Sequence, residues 1–264
     1  MDAAPELLTA ADAPPVEHVN AAGKAPVLVT CDHASRRVPK SLRNLGLDAE
    51  SLKLHIAWDI GAADVSRHLA RKLDAPAILA GYSRLVIDCN RDIDDPTAMP
   101  AVSDGVPVPG NKDLSSAAGA QRVEVLFKPY HAAIEAALDG FTARGVHPAV
   151  LSIHSFTPVM NDFARPWHIG ILWDKDPRMA IPMLAALRRE TGLVVGDNEP
   201  YSAREPAGYT VRTHAEKRGL PHLNVELRQD LLATDAGTVE WADRLVRVLT
   251  PILEDPALYH VKHY

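Results

Sequence analysis

Three short apolar runs in this chain each lead into a residue able to bind a metal or accept a proton. Val27-Leu-Val-Thr-Cys31 runs into Asp32 and His33, Ala149-Val-Leu-Ser-Ile153 into His154, and Leu223-Asn-Val225 into Glu226. The first run is bounded by Pro26 and Pro39, which makes it too short for a helix and predicts a buried strand. Pro76 to Gly81, Ser83 to Arg91 and Trp167 to Trp173 have the same strand-like form, and Leu193-Val-Val195 could add a short one. Helical spacing alternates with these runs. From Ala57 to Leu73, Ile60, Ala63, Leu69, Ala70 and Leu73 recur on one side, with Asp64, Arg67, Arg71 and Lys72 mainly opposite. Asp59 stands at the start of that helix, as a cap or first-turn acid would. Gly119 to Arg144 reads as a long helix with Val123, Phe127, Ile134, Leu138 and Phe141 inward, kinked or divided at Pro129. Further helices are expected over 48–55, from Asp176-Pro177 to Glu190, over 210–218 ahead of Gly219, and from Thr238 to Leu253. Strands alternating with helices predict an α/β domain, its mainly parallel sheet covered on both faces.

Residues 1–25, with Pro5, Pro14 and Pro15, read as an irregular arm able to place Val16 or Val19 against the sheet. Residues 26–264 read as one domain, because no linker, repeat or low-complexity tract divides them. The Pro- and Gly-rich stretch 94–118 is long for a loop, and either closes over a site as a lid or packs as surface. A net charge of -6 provides no basic field for nucleic acid or an anionic membrane. No run approaches the roughly 18 apolar residues of a membrane span. The first 25 residues lack the basic and apolar regions of a signal peptide. Cys31 and Cys89 lie within strand-like runs and read as small buried apolar residues, consistent with a reducing compartment. The expected setting is therefore the cytoplasm, with a small molecule as partner; the oligomeric state is not legible.

Open α/β sheets place ligand sites at strand carboxyl ends. Imidazole and carboxylate are the usual ligands of a catalytic zinc, with one position left for water. A single His at a strand end is most often a hydrogen-bonded structural residue. Two of them, with a strand-end Glu and a helix-start Asp, point to a metal site. No His-Glu-x-x-His, Cys-x-x-Cys, Gly-x-Ser-x-Gly, P-loop or Gly-x-Gly-x-x-Gly is present. Ser35 and Ser155 lie near histidines and leave a serine hydrolase open, although neither has the context of a nucleophile elbow. Arg84 and Arg91 flank a polar group of Asp88, Asn90 and Asp92. Their guanidiniums could grip a substrate carboxylate or pair with these acids. His131, inside the long helix, reads as a partly buried structural residue.

Six blocks give the chain a specific likeness: Thr30-Cys-Asp-His-Ala-Ser35, His55-Ile-Ala-Trp-Asp-Ile-Gly-Ala62, Ser83 to Arg91, Ile153-His-Ser-Phe-Thr-Pro158, Asn198-Glu-Pro-Tyr-Ser202 and Val225-Glu-Leu-Arg-Gln-Asp-Leu231. In this order they resemble the N-formylglutamate amidohydrolase family, in a divergent branch. The resemblance implies a central mixed sheet between helices, similar to zinc carboxypeptidases and zinc-dependent muramoyl-alanine amidases. It implies zinc held by His33, Asp59 and His154, with Asp32 or His55 as alternatives to Asp59, and Glu226 as general base. The implied reaction is hydrolysis of the N-acyl, typically N-formyl, amide of a small acidic amino acid. Arg84, Asn90, Arg91, Ser155 and Arg228 are the expected substrate-binding residues. A carboxypeptidase-like or peptidoglycan-amidase-like zinc hydrolase is the alternative enzyme. A catalytically silent protein that binds a small acidic metabolite is the alternative from another class.

Overall fold

The structure is a computed structural model that describes residues 6–204 and 208–264. Its elements in chain order are β1 (Val16–Val19), β2 (Val27–Cys31), α1 (Ala62–Lys72) and β3 (Ala77–Ala80), then a small hairpin of β4 (Val102–Ser103) and β5 (Val106–Pro107). Next come α2 (Ser116–Arg122), α3 (Lys128–Thr142), β6 (Ala149–Phe156), a second small hairpin of β7 (Val159–Met160) and β8 (Phe163–Ala164), and β9 (Ile169–Leu172). The chain ends with α4 (Pro177–Leu187), β10 (Val195–Asp197), α5 (Thr210–His214), β11 (His222–Arg228) and α6 (Asp235–Leu253). Among the described residues the main sheet has seven strands, ordered β1-β3-β2-β6-β11-β9-β10. β3, β2, β6 and β11 are parallel; β1 and the parallel pair β9 and β10 run the other way. The expected mixed, mainly parallel sheet is therefore present, and the arm contributes its edge strand, with Val19 in the core.

The period of two along each strand assigns its side chains to opposite layers. Val27, Val29, Cys31, Leu151, Ile153, Val225 and Leu227 join the core beneath α1, α4 and α6. Leu28 and Val150 face the other way, against Tyr130, Ile134 and Leu138 of α3 and Val211 of α5. Further along this second face the residues become polar: Thr30 on β2, Ser152 and His154 on β6, and Glu226 on β11.

Several sequence expectations shift. Ser83 to Arg91 forms turns, not a strand. Leu85, Val86 and Ile87 are all buried, in a separate apolar cluster with Leu45, Leu52, Ile56, Val108 and Phe127. A run buried on every side reads like a central strand whether or not its backbone joins a ladder. Here side chains replace the ladder: Asn111 Nδ2 donates to Leu85 O (2.8 Å), and the buried Arg122 donates to Val86 O (2.9 Å). α1 starts five residues later than its pattern suggests, behind Gly61 at φ 80°. The long second helix is divided, a π-turn over Val123–Phe127 separating α2 from α3, and Pro129 occupies the first turn of α3. The expected helix over 48–55 is reduced to one 3-10 turn, Ser51–Lys53. No helix among the described residues is long and apolar enough to cross a membrane.

Two glycines bring a loop onto the sheet. A Cβ on Gly170 would lie 2.0 Å from the Glu199 carbonyl oxygen, and one on Gly196 would lie 2.5 Å from it. The 198–203 loop therefore rests directly on the backbone of β9 and β10.

Gly170→Ala should destabilise the protein by about 1–3 kcal/mol, the usual cost of overpacking; an unchanged urea midpoint would show that the loop can lift freely. A second expectation concerns His131 and His214. His131 Nε2 donates to Cys89 O (2.9 Å), so its Nδ1 accepts from His214 Nε2 (2.8 Å), and both rings are neutral. Burial pushes each imidazole down to about 4, against an unfolded value of about 6.5. As pH falls the unfolded chain takes up protons first, so the stabilisation is complete above 6.5 and drains away between 6.5 and 4. From pH 7 to 5 the loss should be on the order of 2 kcal/mol for each imidazole, about 4 kcal/mol for the pair. Urea unfolding of His131→Gln should show a flatter pH dependence than the parent protein, and equal slopes would refute this.

Candidate active site

β2 ends at Cys31, and the following turn carries Asp32 and His33 to the carboxyl end of the sheet. Asp59 lies in the turn before α1, its N–H donating to His33 O (3.0 Å). The expected capping role does not hold: the cap position is Gly61, and no side chain caps the helix. Freed from the helix end, the Asp59 carboxylate turns inward. Its Oδ2 lies 2.9 Å from His154 Nδ1, 3.2 Å from His33 Nδ1 and 3.3 Å from the Ser155 N–H. One atom from each of His33, Asp59 and His154 falls within 4.8 Å of the others, and all three residues are buried.

A second rank of carboxylates backs the two rings. His33 Nε2 lies 2.7 Å from Asp88 Oδ1, and His154 Nε2 lies 3.1 Å from Asp32 Oδ2 and 3.2 Å from Ser152 Oγ. Asp88 is gripped by Arg84 through Nε (3.0 Å) and Nη2 (2.7 Å), while Arg84 Nη1 reaches Asp59 Oδ1 at 3.4 Å. Asp32 accepts from Tyr130 Oη (2.7 Å) and Thr210 Oγ1 (2.6 Å). Asp32 thus stands behind His154, outside the three-residue group.

Burial opposes every charge here, and the neighbours overrule it. Burial raises the Asp59 carboxyl, but His33 and His154 hold it far below the ordinary range. Burial also raises Asp32, yet the His154 hydrogen bond brings it to about 2. Asp88 is held well below its usual value against burial by Arg84 and His33. Burial and Arg84 lower His33, and Asp88 and Asp59 raise it beyond both; burial lowers His154, and Asp32 and Asp59 raise it well above its ordinary value. Three buried carboxylates against one guanidinium leave two negative charges beside the imidazoles. A dication suits that balance.

The donor geometry suits one as well. Every ring nitrogen of His33 and His154 faces a carboxylate oxygen, so without a cation both rings must carry two N–H groups. With a cation on the Nδ1 side, each ring is neutral and keeps an Nε2–H for its outer carboxylate, the usual support for a metal-bound histidine. Bonds of 2.0–2.2 Å put tetrahedral ligand atoms roughly 3.3 Å apart. The two separations to Asp59 Oδ2, 2.9 and 3.2 Å, are slightly shorter, as expected of ligands drawn together by hydrogen bonds, and all three ligand atoms lie within 4.8 Å of one another.

Glu226 lies directly across from His154 in the parallel pairing of β11 with β6. It is buried, and its Oε2 has no hydrogen-bond partner among the described residues. Burial pushes its carboxyl up to about 7. The group opens into a cleft of about 750 Å³ lined by His33, Asp59, Arg84, His154, Tyr201 and Glu226, among others. Thr97, Pro100 and Val102 from the long 94–118 loop form part of its wall.

The other expected residues divide. Arg84, Asn90, Arg91 and Ser155 line the cleft; Arg228 does not. Arg228 instead grips Asp230 through Nε (2.8 Å) and Nη2 (3.2 Å). Asn90 Oδ1 accepts the N–H groups of Tyr209 (2.7 Å) and Thr210 (3.0 Å), holding the start of α5. Ser155 Oγ donates to Ile60 O (2.8 Å) and Ser35 Oγ accepts from Arg37 N (3.1 Å), so neither is paired with a histidine. His55 pairs with Asp104 (3.1 Å) at the cleft wall, apart from the three-residue group. The backing role of Asp88 was missed. Its signal was the spacing Arg84 to Asp88, which left an ion pair open beside a substrate-binding role and gave no sign of the histidine behind it. Ser152 was missed too, although its parity with His154 on β6 was available.

Residues 25–233 match the N-formylglutamate amidohydrolase family model. The fold is similar to a crystal structure of a gene product from Agrobacterium tumefaciens, at 38% identity and a TM-score of 0.90, covering 94% of this chain and 98% of that one. It is also similar to an N-formylglutamate amidohydrolase from Ralstonia eutropha JMP134, at 19% identity and a TM-score of 0.66, covering 89% of this chain and 99% of that one; this second likeness is one of fold. No curated protein matches the sequence. With the family model matching most of its length, the chain belongs to the N-formylglutamate amidohydrolase family.

Proposed function

We propose that this protein hydrolyses the N-formyl amide of a small acidic amino acid such as N-formylglutamate, using zinc held by His33, Asp59 and His154 and Glu226 as general base. The observation that carries the reading is the unpartnered, buried Glu226 oxygen beside that three-residue group. The family membership supplies the reaction class. A dication such as zinc supplies the charge that polarises an amide carbonyl and acidifies water.

The chain's own groups account for the rest. Asp88 and Asp32 fix the two rings so that Nδ1 of each turns toward Asp59. Ser155, through its backbone N–H and its bond to Ile60 O, holds the Asp59 turn against the end of β6. Glu226 takes a proton from water as the water oxygen attacks the formyl carbon. It then delivers that proton to the nitrogen as the C–N bond breaks, releasing formate and the amino acid. Burial raises the Glu226 carboxyl, and a neighbouring dication would lower it again, so the carboxylate is available to accept the proton while its buried setting favours returning it. Arg84 serves by neutralising Asp88 and Asp59, which leaves it little freedom to grip substrate.

Replacing both His33 and His154 by Ala should abolish zinc binding while the fold, followed by far-UV circular dichroism, persists; full zinc by elemental analysis in the double variant would remove these ligands from the mechanism. Glu226→Gln keeps size and hydrogen bonding but cannot take the proton. It should lower kcat by about 100- to 10,000-fold with zinc retained. Loss of zinc as well would make Glu226 a ligand, and near-normal turnover of N-formylglutamate would end the general-base role.

A further inference from the structure

Among the described residues lining the cleft, three side-chain atoms are buried without a hydrogen-bond partner: Glu226 Oε2, His55 Nε2 and Asn198 Nδ2. The first belongs to the base, and the second faces Asp104 at 3.1 Å. The third has no assigned use. Asn198 Oδ1 accepts the N–H groups of Trp173 (3.0 Å) and Ala203 (3.1 Å), while the Asn198 N–H donates to Ile171 O (2.9 Å). Two N–H donors can meet only the oxygen of the side-chain amide, so its orientation is fixed and Nδ2 is the atom left over. A buried donor without an acceptor is costly, and a ligand that supplies one removes the cost.

A second amide lines the same cleft. Asn224 stands two residues before Glu226 on β11, so the two share a face about 7 Å apart. Asn224 pairs directly with Leu172 of β9, itself part of the cleft wall, and the loop that begins at Asn198 rests on Gly170, the residue opposite Glu226. Beyond Glu226 the cleft is therefore lined by Asn224, Leu172 and Asn198, which offer hydrogen bonds without charge. Glu199 and Glu226 line the cleft as well and oppose an anion there. An uncharged amide fits: its carbonyl oxygen completes Asn198 Nδ2, and its N–H suits the Asn224 oxygen. The reach fits too, because a side-chain carboxamide five bonds from a formyl carbon lies on the order of 6 Å from it when extended.

We propose that Asn198 and Asn224 form a subsite for a second, uncharged amide of the substrate, either a side-chain carboxamide or a further peptide group. The inference rests on the N-acyl amino acid reading and widens it from acidic residues to amide-bearing ones, but a binding measurement tests it apart from turnover. The zinc-loaded protein is titrated calorimetrically with L-glutamine, alanylglycine and L-methionine, which supply a side-chain amide, a peptide amide and similar length with no second amide. The parent protein should bind at least one of the two amides about 10-fold more tightly than methionine, the worth of one to two hydrogen bonds. Tighter glutamine identifies the side chain as the source, and tighter alanylglycine the peptide group. Asn198→Asp keeps an oxygen for the Trp173 and Ala203 N–H groups and replaces only the donor. It should erase the preference and leave methionine binding unchanged. Asn224→Leu, the size of its neighbour Leu172, should weaken the preferred amide several-fold and spare methionine.

A preference that survives Asn198→Asp would overturn the proposal, as would equal binding, or no binding, of the three ligands by the parent protein. Equal weakening of all three ligands in both variants would reduce the asparagines to packing. Turnover of N-formylglutamate, followed in parallel, bears on the hydrolase reading alone: its absence alongside an Asn198-dependent preference would sink that reading and leave the subsite standing.

Discussion

One oxygen atom organises this site. Asp59 Oδ2 sits within hydrogen-bonding distance of two imidazole nitrogens and a backbone N–H, buried at the inner end of the cleft. A carboxylate buried in that way is tolerable only if positive charge meets it on every side. The two histidines, turned by Asp88 and Asp32, and Arg84 on the other oxygen provide that charge. Each member of the network would be costly alone; together they hold one another in place. The positive charge at its centre is carried by the two Nδ1 protons, and a dication could take their place without upsetting the balance.

The sheet explains why such a network can exist inside an otherwise apolar core. The face beneath α1, α4 and α6 stays apolar to the strand ends. The opposite face changes character part way along: Val150 packs against α3, then Ser152 and His154 follow at the same parity. Glu226 repeats the change on β11. Polar residues thus collect at one end of one face, where the cover passes from helices to loops.

The parts of this arrangement governed by strand period were legible in the sequence. His33, His154 and Glu226 each end an apolar run, and that placement needed no tertiary knowledge. Asp59 was harder, because an acid just before a helix reads as a cap, and only the position of Gly61 shows that the helix begins beyond it without a side-chain cap. The Ser83 to Arg91 run misled for a physical reason. Leu85, Val86 and Ile87 are buried as thoroughly as a central strand, but by loops, with Asn111 and Arg122 completing the backbone hydrogen bonds. Asn198 gave no sign of its place. It stands in a turn-rich polar stretch, with no periodicity to reveal that its side-chain nitrogen is buried.

The order of the strands carries a consequence for how the molecule is assembled. β9 and β10 border the rest of the sheet only through β11, which lies between β6 and β9 although it is the last strand in the chain. As synthesis proceeds from the N-terminus, β1, β3, β2 and β6 can pair early, while β9 and β10 have nothing to dock against until residues 222–228 emerge. The strand that joins the two parts also carries Glu226. Docking of β11 on β6 thus brings Glu226 beside His154 and, in the same step, creates the edge on which β9 and β10 can dock.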